Sequence, residues 1–186
     1  DGYVEPEDIV DTQGGAIRYA NRVMKDSHEG GYGKITMQHV FEVSSNVGIS
    51  KMVHKFYSKN PQAFVDRIRS FGLDKKLGLQ ISGEGAPLIR NTDDKYWSKV
   101  TLPYMSIGYE CSLTPLQILT FYNAVANNGR MVKPLFVKEI RNKGHLVQEF
   151  KTTIIKDSIA SRKTIAQVKL MLEGVVQVGT ATNLKH

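Results

Sequence analysis

A single cysteine, Cys111, stands in a chain of 186 residues, which excludes an internal disulfide and any cysteine-rich metal site. It does not identify a compartment, because exported proteins also carry few cysteines. The five histidines fall at 28, 39, 54, 145 and 186 without ligand spacing such as i, i+4, so neither a metal nor any other cofactor is expected. No run of about 18 apolar residues occurs, so nothing in the sequence reads as a membrane span. The first residues, "DGYVEPEDIV", are acidic and unlike a signal peptide. Adjacent basic pairs are confined to Lys75–Lys76 and Arg162–Lys163. Without a basic stripe interleaved with aromatics, nucleic acid is not an expected partner.

What is present fits a globular protein: 41% hydrophobic and 23% charged residues are ordinary proportions for a folded domain. The length suits one domain, or one domain with a subdomain. The net charge of +7 is compatible with an anionic wall polymer, an anionic membrane or a carboxylate-rich substrate. The chain starts at Asp1 rather than Met and ends on "TNLKH", and it is expected to be an internal piece of a longer protein.

Hydrophobic spacing and stop signals outline the elements. "AIRYA" reads as a short strand among the glycines of residues 1–34. Thr36 caps a helix running through Val43, with Ile35, Met37, Val40, Phe41 and Val43 at roughly helical spacing. A second helix follows, with Ile49, Met52, Val53, Phe56 and Tyr57 on one face. Pro61 opens a third helix that Gly72 stops. Residues 74–103 form a long connection, which in a compact domain is more often functional than idle. "LTPLQILTFYNAVANNG" is a helix capped by Thr114, with Leu116, Leu119, Tyr122 and Val125 as its apolar face. "MVKPLFVKEIRN" and "HLVQEFK" pair as a hairpin turning at Lys143 and Gly144. The last helix starts near Ser161 and uses Ile165, Val168, Leu172 and Val175.

Between the first two helices lies "EVSSNVGIS", a polar triplet of Ser44, Ser45 and Asn46 inside an apolar pattern. Serine and asparagine are favoured caps where one helix ends and another begins. A triplet pinned between two buried helices is also held rigidly, as a catalytic hydroxyl and amide must be.

"SSNVGISK", "FGL" at 71–73, "GE" at 83–84 and "SIGYECSLTPLQILTFYNAVANNG" at 106–129 together resemble the transpeptidase domain of class B penicillin-binding proteins, septal or elongation type. "VDTQGG", "GKIT" and the closing "KLMLEGVVQVGTAT" fit the same family in the same order, so the likeness covers nearly the whole chain. It implies an α+β fold: a partial penicillin-binding transpeptidase (serine beta-lactamase-like) fold, with a helical lobe and a few antiparallel strands. It also implies a peptidoglycan D,D-transpeptidase that forms an acyl-enzyme on D-alanyl-D-alanine and is blocked by penicillins. In that scheme Ser44 relays protons, and Asn46 orients the catalytic lysine and holds a substrate carbonyl. The expected partners are peptidoglycan stem peptides, beta-lactam antibiotics and other cell-wall synthesis or division proteins. The expected location is the outer face of the cytoplasmic membrane, through a membrane segment outside this chain.

The chain departs from the family where the chemistry is centred. No serine has a lysine three positions on, and no Lys-Thr-Gly or Lys-Ser-Gly occurs, although the nucleophile and its base come from Ser-x-x-Lys. "VGTAT" at 178–182 has Val178 where that third motif needs lysine. The 186 residues are therefore expected to be inactive by themselves. Gly108 and Tyr109 match a Gly-Tyr-Gly segment flanking the family's cleft, making Tyr109 a candidate substrate contact, with Glu110 in place of the last glycine. Cys111 reads as a plain thiol, and Tyr96 and Trp97 as packing anchors. The rival readings are a catalytically inactive scaffold for wall-synthesis partners and a beta-lactam-hydrolysing relative.

Overall fold

In the computed structural model, residues 2–185 are described, and they divide into two compact units. The first unit comprises residues 1–67, 89–111 and 167–186; the second comprises residues 68–88 and 112–166.

The first unit begins with strands β1 (Ile9–Asp11), β2 (Ala16–Tyr19), β3 (Arg22–Lys25) and β4 (Lys34–Thr36). β1 pairs antiparallel with β4 and β2 with β3. Thr36 ends β4 and caps α1 (Met37–Glu42), its side chain accepting the His39 N–H. Ile35 therefore belongs to a strand, because the cap sets the helix start one residue after Thr36. After a three-residue break comes α2 (Asn46–Tyr57), which packs against α1, β1 and β3. Gly48 makes the α1–α2 approach possible: a Cβ there would lie 2.5 Å from Val40 Cγ1, inside any tolerable contact. Val10, Met24, Val40, Val43 and Val47 are buried in this region.

α3 (Pro61–Ser70) begins at its proline as expected, and Gly72 beyond it takes φ +82, the left-handed stop glycine accepts without strain. The connection 74–103 is less irregular than expected. It contains the short strand β5 (Leu88–Ile89) and the start of helix α4 (Thr101–Met105), which packs against α2. The strand β6 (Cys111–Ser112) follows.

In the second unit, α5 (Pro115–Ala126) has a complete capping box: Thr114 accepts from Gln117 N–H, and the Gln117 side chain accepts from Thr114 N–H. Its expected apolar face is corrected. Of that face Val125 is buried and Leu116 half-buried, but Leu119 is 60% and Tyr122 50% exposed, and Gln117, Thr120 and Ala124 are buried instead. The buried polar groups are satisfied locally. Gln117 Nε2 donates to the Lys75 carbonyl, and Thr120 Oγ1 donates to the Leu116 carbonyl, which removes most of the cost of burying them.

"MVKPLFVKEIRN" is likewise two strands rather than one. β7 (Met131–Val132) pairs with β10 (Ile154–Lys156), while β8 (Glu139–Asn142) pairs with β9 (His145–Glu149) around Lys143 and Gly144. Both turn residues have positive φ, +46 and +85, the geometry that suits a two-residue hairpin. α6 (Arg162–Gln177) is capped by Ser161, whose hydroxyl accepts the Thr164 N–H. Of its expected stripe only Ile165 is buried; Val168, Leu172 and Val175 are half-buried. Helices beside short antiparallel strand pairs make the partial α+β fold that was expected.

Candidate functional site

The polar break between α1 and α2 is built from the end of one helix and the start of the next. Val43 closes α1 with its N–H on the His39 carbonyl, and the Ser44 and Ser45 N–H groups bond the Phe41 and Val40 carbonyls at 3.1 and 3.0 Å. Every amide in the turn is thus anchored to α1. Ser44 pays for this with φ +54, a region costly for a residue with a Cβ. Its side chain is exposed and bonds nothing among the described residues.

Ser45 is the residue that caps. It is fully buried and accepts the Gly48 N–H at 3.0 Å while donating to both oxygens of Asp26 at 3.0 and 3.1 Å. Asp26 also accepts the Val47 N–H at 2.9 Å. A carboxylate is therefore fastened to the first turn of α2, where the helix dipole favours negative charge. Asp26 is the component the sequence did not disclose, since it lies 19 residues upstream in a glycine-rich stretch without a motif of its own.

Asn46 opens α2 and is half-buried. Its Nδ2 donates to the Lys25 carbonyl at 2.9 Å. Because that partner can only accept, the amide must turn its NH2 toward β3. Oδ1 is left as an acceptor, with the second N–H as a donor. Farther along α2, Lys51 is committed elsewhere, its Nζ donating to the Asp11 carbonyl at 2.8 Å.

The other wall of the turn comes from the C-terminal segment. Glu42, 5% exposed, accepts Gln38 Nε2 at 2.7 Å and bonds His39 Nδ1 at 2.9 Å. Its backbone carbonyl accepts the Thr180 N–H at 3.2 Å. "VGTAT" is thereby tied directly beside the polar triplet, two residues from Ser44.

Tyr109 is 63% exposed, with its ring edge-on to Tyr104 at 5.9 Å. No bond among the described residues joins it to Ser44 or Asn46. Glu110 has φ +59, so the position where the family has glycine keeps a glycine-like backbone. Its carboxylate bonds Arg90 Nε at 2.7 Å, and that bond raises the Arg90 pKa further. Cys111 is half-buried, and burial, with the Glu110 charge adding, pushes its thiol pKa up, opposite to what a nucleophile requires. Tyr96 is 66% exposed, its ring taking Arg90 and Lys95 as cation partners, which corrects its expected role as a packing anchor; Trp97 is half-buried.

Comparison with known proteins gives one consistent answer. The family described as "Penicillin binding protein transpeptidase domain" matches residues 1–186. The penicillin-binding protein PbpB of Mycobacterium tuberculosis is 31% identical over 177 residues, covering 95% of this chain and 25% of the relative. The peptidoglycan D,D-transpeptidase FtsI of Escherichia coli K12 is 28% identical over 158 residues, covering 81% of this chain and 26% of its own. The chain thus spans about a quarter of the length of these curated relatives. Among solved structures, penicillin-binding protein 3 of M. tuberculosis, complexed with ampicillin, superposes with a TM-score of 0.77 and 31% identity over 95% of this chain and 37% of that one.

Proposed function

The chain belongs to the penicillin-binding protein transpeptidase family, and on that footing we propose that it is part of a peptidoglycan D,D-transpeptidase that cross-links stem peptides and is acylated by penicillins. One observation carries the proposal most directly: an exposed Ser44 hydroxyl is held in a left-handed turn whose neighbours, Ser45 and Asn46, are locked to Asp26 and Lys25. A plain connection would place glycine at Ser44. Backbone strain under an unpartnered polar group is characteristic of a working site.

The acyl transfer has two halves. A serine oxygen, outside these 186 residues, attacks the D-alanyl-D-alanine carbonyl; the C–N bond breaks, and D-alanine leaves with a proton. An amine of a second stem peptide then displaces the serine and gives up its own proton. Ser44, a hydroxyl that both donates and accepts, relays those protons to and from the lysine base. Asn46 uses Oδ1 to accept from the lysine ammonium and its remaining N–H to hold a substrate carbonyl. Tyr109 lines the cleft.

The solved relative in complex with ampicillin supports beta-lactam acylation of the intact protein. We also place it on the outer face of the cytoplasmic membrane, held by a segment outside this chain, beside other wall-synthesis or division proteins. The decisive measurement is labelling by a fluorescent penicillin. The intact protein should label and the Ser44→Ala variant should label about 10²-fold more slowly or worse, with an unchanged melting temperature. No labelling of the intact protein would favour an inactive scaffold, and rapid turnover of the label would favour a beta-lactam hydrolase.

A further inference from the structure

Two different elements hold the two candidate groups of the polar turn. Ser44 hangs from α1, through its own N–H on the Phe41 carbonyl and the Ser45 N–H on the Val40 carbonyl. The side chain of Asn46 is tied instead to the β2–β3 hairpin, Nδ2 donating to the Lys25 carbonyl at 2.9 Å. A carbonyl oxygen 21 residues upstream therefore decides which way that amide faces. What fixes the carbonyl is the next residue.

Asp26 is held at both its backbone and its side chain. Its N–H closes the base of the hairpin on the Gly15 carbonyl at 2.9 Å. Its carboxylate takes the Ser45 hydroxyl and, at 2.9 Å, the Val47 N–H, the residues immediately before and after Asn46. On the same helix, the buried Tyr19 hydroxyl of β2 donates to Ser50 Oγ at 3.2 Å, and Ser50 Oγ donates to the Val47 carbonyl at 3.3 Å. The hairpin thus grips α2 at residues 45, 46, 47 and 50. A helix start ordinarily has one cap, which here is the Ser45 hydroxyl on the Gly48 N–H. A carboxylate from a separate hairpin behind that cap, with the adjoining carbonyl on Asn46, goes beyond what capping requires.

We infer that Asp26 is the positioning residue for Asn46. By seating the end of β3 on the start of α2, it holds the Lys25 carbonyl where it pins Nδ2, and so leaves Oδ1 and the second N–H free for the lysine base and the substrate. What Asn46 does there rests on the transpeptidase reading proposed above; how it is held rests on the hydrogen bonds alone. The consequence is a division of support. Damage to the hairpin is felt through Asn46 and leaves the contribution of Ser44 as it was.

The test is a pair of double-mutant cycles on the intact protein, reading the rate of fluorescent-penicillin acylation under conditions where urea curves show every variant folded. Asp26→Asn keeps the shape and one acceptor. It should slow acylation about 10-fold, since a small misplacement of a catalytic group costs this much or more, and it should do the same in a Ser44→Ala background. In Asn46→Ala the same substitution should cost less than about 2-fold, because the group it positions is gone. Tyr19→Phe keeps the buried ring and removes only the Ser50 bond; it should show a smaller loss with the same dependence on Asn46, and it carries the test should Asp26→Asn fail to fold. If Asp26 only stabilised the fold, the factor would be equal in all three backgrounds; that result, or an unchanged rate in Asp26→Asn, would overturn the assignment. A second readout needs no penicillin. In ¹⁵N-resolved spectra the Asn46 side-chain NH2, identified by its loss in Asn46→Ala, should exchange with solvent at least about 10-fold faster in Asp26→Asn than in wild type. If the intact protein takes no label, the transpeptidase reading falls and this exchange rate alone decides the positioning, an unchanged rate overturning it.

Discussion

Gly179 lies so close against Glu42 that a Cβ added to it would sit 2.1 Å from the Glu42 carbonyl oxygen, with the backbone carbonyl carbon at 2.8 Å. Gly174 makes the corresponding approach to the Glu42 carboxylate. The end of α1, and with it the Ser44 turn, is therefore held by a backbone-on-backbone contact that only glycine permits. Gly179→Ala forces that contact apart, and overpacking of this kind costs about 1–3 kcal/mol. At about 2–4 °C per kcal/mol for a domain of this size, the melting temperature should fall by several degrees. Penicillin acylation should fall with it, because Ser44 moves with Glu42. Alanine tolerated at 179 with both values unchanged would show that α1 does not depend on the C-terminal segment.

The Asp26 carboxylate takes two donors from the start of α2, the Ser45 hydroxyl, whose one proton is shared between both carboxylate oxygens, and the Val47 N–H. Asp26→Ala strands a buried hydroxyl and an amide at once, for an expected loss of about 2–4 kcal/mol by summing unsatisfied groups. Asp26→Asn keeps one acceptor and should recover about half of it. Urea titration of the two variants measures this ordering. Similar midpoints for both would mean that Ser45 finds a new partner without the carboxylate.

The division of labour between Ser44 and Ser45 shows where the sequence stops being informative. Spacing placed a polar break between two helices, and the structure has it there. It could not say which hydroxyl turns inward, because the two residues are identical and the deciding partner, Asp26, is remote in the chain. The α5 helix illustrates the same limit. Hydropathy singled out Leu119 and Tyr122, yet burial went to Gln117 and Thr120, whose side chains find acceptors within the second unit. Elements with local punctuation were legible: Thr36, Pro61, Thr114 and the Lys143–Gly144 turn each mark what their own chemistry requires.

Glu84 closes the turn at 77–79, its carboxylate accepting the N–H groups of Leu77, Gly78 and Leu79. Burial opposes its ionisation, but the three N–H bonds, aided by Lys76, outweigh that and hold its pKa below the ordinary carboxylate value. A lowered folded pKa means that the folded chain binds fewer protons than the unfolded one at intermediate pH. The contribution is then complete above the unfolded pKa of about 4.3 and fades as pH falls through the lower folded value. Wild type should exceed Glu84→Gln in urea midpoint at pH 7, and the gap should close below about pH 4. A gap independent of pH would show that shape, not charge, holds the turn.

Ser44→Gly separates strain from chemistry at the centre of the site. Glycine accepts φ +54 freely, so removing Cβ relieves about 1 kcal/mol of left-handed strain, offset in part by the greater freedom of the unfolded chain. No packing is lost, since the Ser44 side chain is exposed and unbonded among the described residues. A residue kept only to break the helix would be improved by this change, or left neutral, in every assay. A proton relay would not: the variant should melt at or above the wild-type temperature while its penicillin acylation slows about as much as in Ser44→Ala. Stability and acylation moving in opposite directions is the signature to look for, in matched melting and labelling measurements on the intact protein. Acylation at the wild-type rate in Ser44→Gly would remove the hydroxyl from the mechanism and leave Asn46 as the turn's sole contribution.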